Sequence, residues 1–108
     1  MIDVVQEKRP ELTELCRRFG VRRLDIFGSA VTDRFDSARS DIDFIVDLGA
    51  YDVTVVDRFL DLADALETLF RRPVDLITVK SIRSPLFQAE VEKSRTTLYE
   101  ASGDQAAA

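Results

Sequence analysis

Between positions 41 and 79 the chain changes its hydrophobic period twice. Ile42, Phe44 and Val46 alternate with Asp41, Asp43, Ile45 and Asp47, which is the two-residue period of a strand. Val55, Val56, Phe59, Leu60, Leu62, Ala63, Leu66, Leu69 and Phe70 then recur at helical intervals as far as Arg71-Arg72-Pro73, and Val74-Asp75-Leu76-Ile77-Thr78-Val79 returns to a β-rich run. A helix with so broad an apolar stripe must bury it, and short strands on either side supply a surface.

The flanks extend the pattern. Ile2 to Arg9 reads as a short helix, and Pro10 opens a second that runs to Phe19 and stops at Gly20, with Leu12, Leu15, Cys16 and Phe19 on its apolar side. Val21 to Phe27 is strand-like and ends abruptly at Gly28-Ser29. A short helical turn, Ala30 to Phe35, and a polar loop, Asp36 to Ser40, lead into the Asp-rich strand. Ser84-Pro85 opens a closing helix that carries Leu86, Phe87, Val91 and Leu98. Helix, strand, short helix, strand, helix, strand, helix predicts an α/β (α+β) fold, a small β-sheet with helices packed against it. Residues 1–101 are expected to form one domain and residues 102–108 a disordered tail.

Composition narrows the chemistry. Fifteen Lys and Arg against 20 Asp and Glu give a net charge of −5, which argues against a general binder of nucleic-acid phosphates. With one cysteine, Cys16, and no histidine, an internal disulfide, a multi-cysteine zinc site and imidazole catalysis are excluded within these residues. Cys16 falls on an apolar stripe and reads as a small core residue. No stretch has signal-peptide or membrane-span character, so the cytoplasm is the expected compartment. At 108 residues the site has to be built from a few short motifs.

Three motifs can carry chemistry. Gly28-Ser29 lies at a strand-to-helix junction, where backbone amides and a hydroxyl can grip phosphates or simply cap a turn. Asp41 and Asp43, two apart on a strand, project from one face, where like charges repel unless water or a divalent cation separates them. Asp75 is the lone carboxylate in an apolar run. It is either a solvated strand end or, if its strand neighbours that of Asp43, the third member of a site able to bind metal or take a proton.

Taken together, Phe27-Gly28-Ser29, eleven intervening residues, Asp41-Ile42-Asp43-Phe44-Ile45-Val46 and the later Asp75 resemble the signature of the DNA polymerase β-like nucleotidyltransferases, and most nearly their minimal nucleotidyltransferase group. The resemblance runs from about Pro10 to Ala101. It implies a small mixed sheet, and an Mg²⁺-dependent transfer of AMP from ATP with loss of pyrophosphate. Asp41, Asp43 and Asp75 would be catalytic and hold two metal ions, while Gly28, Ser29 and Ser40 would bind the nucleotide. It further implies an antitoxin whose partner is a HEPN-domain ribonuclease toxin, modified on a tyrosine hydroxyl, with a homo-oligomer or a hetero-oligomer with that toxin as possible assemblies. Many minimal members have ten residues between the serine and the first aspartate and carry Ala-Arg-Gly after the turn. This chain has Ala30-Val31-Thr32-Asp33, with Arg34 and Arg39 as the nearest basic residues. That departure keeps open a non-catalytic binding antitoxin with a vestigial nucleotide site, and nucleotidyl transfer to a small molecule or RNA is a further alternative.

Overall fold

The computed structural model describes residues 3–28, 41–49 and 52–101. Helices α1 (Asp3–Glu7) and α2 (Arg9–Arg18) lead into β1 (Arg23–Phe27). Then come β2 (Ile42–Asp47), α3 (Val55–Phe70), β3 (Val74–Thr78), a single 3₁₀ turn at Val79–Ser81, α4 (Pro85–Ser94) and β4 (Thr96–Glu100). The sheet has four strands in the order β3-β2-β1-β4. β2 and β3 run parallel, joined by the α3 crossover, whereas β1 is antiparallel to both β2 and β4. The result is the mixed α/β architecture expected.

One face of the sheet holds the main core. Leu24 and Ile26 of β1, Ile42, Phe44 and Val46 of β2, and Leu76 of β3 pack against Val5, Leu12 and Cys16 of the first two helices and Leu62, Leu66 and Phe70 of α3. The tilted Phe44 and Phe70 rings lie 5.9 Å apart. Cys16 is a buried core residue, and burial pushes its thiol up to about 12, so it stays protonated and inert. Arg58 of α3 ties this layer together: its Nη1 donates to the carbonyls of Phe19 (3.2 Å), Gly20 (3.4 Å) and Leu48 (3.3 Å). These are the end of α2 and the exit of β2, where orphan carbonyls need donors.

The opposite face is covered by α4, which Ser84 caps through its Oγ accepting from Phe87 N–H. Beneath it, Phe27, Ile45 and Val91 form a second small core with Ile77 and Ile82 alongside.

Two expectations change. The closing helix ends at Ser94, and Thr96–Glu100, expected as its last turns, is instead the edge strand β4, paired with β1. Leu98 lies seven residues after Val91 and so fits a helical stripe. The β-branched Thr96 and Thr97 and the ladder offered by β1 outweigh that local pattern. The first strand starts at Arg23 rather than Val21, which is buried in the core just ahead of it. The expected turn at Ala30 to Phe35, the loop at 36–40 and the tail at 102–108 lie outside the described residues.

Candidate active site

The alternation of β2 sends Ile42, Phe44 and Val46 into the main core and leaves Asp43 on the α4 side of the sheet. Its parallel-strand partner is Asp75, and its antiparallel partner on β1 is Phe27. Asp41, one residue ahead of β2, is exposed, as is Asp75, while Asp43 is half-buried between them and the end of β1. The sequence-predicted carboxylates are thus brought to one end of one sheet face, as adjacency of β2 and β3 requires.

Gly28 follows directly on β1 with φ of +78°, a conformation that L side chains rarely adopt. A Cβ there would stand 2.6 Å from Asp43 Oδ2, so only glycine lets the turn press against that carboxylate. Its amide N–H donates to Ser94 Oγ at 2.8 Å.

The electrostatics follow from this packing. Burial, reinforced by the charges of Asp75 and Asp41, pushes the Asp43 carboxyl from its ordinary 3.8 up to about 6. Such a cluster is a high-energy arrangement for anions alone and favours a hard cation. Among the described residues no group of three acidic or thiol side chains is already drawn into a metal cage. Mg²⁺ does not need one, because it is held by one or two carboxylates together with waters and substrate phosphates. The donor set therefore fits that ion chemically.

Another carboxylate on this face serves a different purpose. Asp25 of β1 is fully buried under the junction of α4 and β4, where Arg95 Nε and Arg23 Nε both donate to it, the latter at 3.0 Å. Burial alone would raise its pKa, but these bonds, with help from Thr97, outweigh it and hold the carboxyl below its ordinary value. Sequence reasoning passed over Asp25, Ser94 and Arg95. A carboxylate inside Leu24-Asp25-Ile26-Phe27 signals a required cationic partner, yet nothing local identifies an arginine 70 residues away. Ser29 and Ser40, named from the sequence as nucleotide contacts, and Thr32, Arg34 and Arg39 lie outside the described residues.

Hard oxygen donors clustered beside a glycine turn at one end of a mixed sheet make a donor set of the class suited to a divalent cation and phosphate oxygens. Comparison with known proteins gives that class its family. Residues 12–98 match the nucleotidyltransferase domain model, and the chain belongs to that family; it is a nucleotidyltransferase. It is 37% identical over 71 residues, 66% of this chain and 69% of the relative, to the protein adenylyltransferase MntA of Thermococcus cleftensis. A candidate protein adenylyltransferase of Methanocaldococcus jannaschii is 30% identical over 76 residues, 70% of this chain and 75% of that one. Among solved structures, a candidate minimal nucleotidyltransferase superposes with a TM-score of 0.67 at 24% identity, covering 88% of this chain and 95% of that one. The MNT antitoxin complex with the tri-AMPylated HEPN toxin of Shewanella oneidensis gives a TM-score of 0.60 at 21% identity, over 94% of this chain and 77% of that one. At those identities the structures establish the shared fold. No helix among the described residues is long and apolar enough to cross a membrane.

Proposed function

We propose that the chain transfers AMP from Mg-ATP to a tyrosine hydroxyl of a cognate HEPN-domain toxin and thereby acts as its antitoxin. The observation that carries this reading is the Asp43–Asp75 pair beside Gly28, in a chain 37% identical to a protein adenylyltransferase. The fold shared with a HEPN toxin–MNT antitoxin complex supports the choice of partner.

Asp41 and Asp43 are the residues that would hold Mg²⁺, and Asp75 would complete the coordination on the acceptor side if two ions bind. Bound Mg²⁺ supplies charge neutralisation and Lewis-acid polarisation of the phosphate oxygens. The Gly28-Ser29 turn, with Ser40, orients the triphosphate so that its α-phosphorus faces the incoming hydroxyl. The tyrosine oxygen bonds to the α-phosphorus, the bond to the β-phosphate breaks, and pyrophosphate leaves. Asp75, which is exposed, would take the phenolic proton where it does not hold a metal ion.

The test combines purified protein, Mg²⁺, labelled ATP and the HEPN toxin. Label should pass to the toxin, and Asp43→Asn should abolish transfer while the protein stays folded. Absence of label with well-folded wild-type protein overturns the reading. Full suppression of toxicity by Asp43→Asn at normal expression would favour the non-catalytic binding antitoxin, which the sequence departure after Ser29 motivates.

A further inference from the structure

We propose that Ser94 is a positioning residue for nucleotide binding: its hydroxyl pins the Gly28 amide and so fixes the turn at Gly28 against Asp43. The inference rests on the reading of that turn as the phosphate grip.

Gly28 is held from two sides. On one side the space for a Cβ is taken by Asp43 Oδ2, 2.6 Å away. On the other its N–H donates to Ser94 Oγ at 2.8 Å. A buried or half-buried amide directed at a helix-end hydroxyl is committed to it, and a phosphate oxygen would have to displace that bond to claim the same donor. Gly28 therefore contributes clearance beside Asp43 and a fixed point of the backbone rather than a free donor.

Ser94 is itself anchored, which makes it a reference point. It is the last residue of α4. One turn earlier, Val91 is buried against Phe27 and Ile45, and Phe87 meets the edge of the Phe27 ring at 6.2 Å. The next residue, Arg95, is bound to the buried Asp25, and Thr96 Oγ1 donates to the Ser94 carbonyl at 3.1 Å. The end of α4 is thus fastened to β1 at Asp25, Phe27 and Gly28, and the turn inherits the position of the helix. Second-sphere support of this kind governs how well a binding group is aimed.

The experiment measures Mg-ATP binding by calorimetry, and transfer kinetics, for wild type, Ser94→Ala, Ser94→Cys and Ser94→Thr. Alanine removes the acceptor, and cysteine keeps the size but accepts weakly. Both should raise the dissociation constant and KM for ATP roughly five- to tenfold with kcat within about twofold, the tenfold end being about 1.4 kcal/mol. Threonine retains the hydroxyl and should restore most of the affinity. If the alanine variant folds poorly, the cysteine and threonine pair decides the matter. A lowered melting temperature with unchanged KM, or threonine no better than cysteine, overturns the positioning role while wild-type binding keeps the site reading. A wild-type protein that binds no nucleotide overturns both.

Discussion

Asp43 faces Asp75 across the parallel β2–β3 pair, and the half-buried member of the two carries a carboxyl raised to about 6. That relationship makes the candidate site a source of instability in the metal-free protein. Because the native state holds the Asp43 proton more tightly than the unfolded chain, stability falls as pH rises from about 4 to about 6. Asp43→Asn removes the repulsion. Above pH 6 the variant should be more stable than wild type by about 1–2 kcal/mol, after allowance for solvent screening. Below pH 4 the two should converge. Chemical denaturation of both proteins in chelator across that range measures it, and a variant less stable than wild type at pH 7.5 would contradict the assignment.

Gly28→Ala tests the close approach of the turn. The substitution asks for a side chain at positive φ and places its Cβ against Asp43 Oδ2. The carboxylate can rotate away only by leaving its position between Phe27 and Asp75. A loss of about 1–3 kcal/mol is expected, with nucleotide transfer reduced well beyond what the stability change explains. Transfer assays at low temperature, where the variant remains folded, separate the two effects.

Asp25 has the opposite pH signature to Asp43. Its carboxyl is held below the ordinary value, so it contributes stability above about pH 4 that is lost as pH falls through its native pKa. Arg95→Ala leaves Asp25 with Arg23 as its remaining arginine partner and frees the end of α4. A destabilisation of about 2–4 kcal/mol is expected at neutral pH. It should shrink in acid, where the orphaned carboxylate takes up a proton. Urea midpoints at pH 7 and pH 3.5 provide the comparison.

Arg58→Ala should lower stability by about 1–3 kcal/mol while leaving transfer unaltered below its melting temperature. Its guanidinium serves carbonyls of Phe19, Gly20 and Leu48 at once, on the face of the sheet opposite the carboxylates. Arg58→Lys should recover only part of the loss, because the lysine side chain is one bond short of the position from which Nη1 reaches the three carbonyls and has no Nε–H for Thr54 Oγ1.

What the sequence made legible was whatever is encoded within a few residues. The two-residue period placed Asp43 on the strand face away from the main core, with Asp41 just ahead of the strand, the 3.6-residue stripe from Val55 to Phe70 announced α3, and the abrupt Phe27-Gly28 junction marked the end of β1. The parallel pairing of Asp43 with Asp75 was legible only as a condition, since it depends on α3 returning the chain to the neighbouring position. β4 was hidden because Val91 and Leu98 keep a helical spacing, and only pairing with β1 makes Thr96–Glu100 extended. Asp25, Ser94 and Arg95 were hidden for the same reason: a contact across 66 or 70 residues leaves no local trace.

Magnesium should invert the pH behaviour of the site. Without metal, ionising Asp43 costs stability, because the carboxyl is half-buried and the charges of Asp75 and Asp41 add to that penalty. A divalent cation binds only the deprotonated carboxylates, so ionisation becomes a requirement for binding rather than a source of strain. With Mg²⁺ and ATP at about 100 times their dissociation constant, the folded state should gain about 2.7 kcal/mol, or roughly 10 °C in melting temperature for a domain of this size. The gain should appear at pH 8, fade through pH 6 and vanish by pH 4. Asp43→Asn should lose most of it, and chelator should reverse it in wild type together with transfer. Thermal melts with and without Mg-ATP at those three pH values decide the point: a melting temperature indifferent to Mg-ATP at pH 8 would reduce Asp41, Asp43 and Asp75 to a solvated strand end.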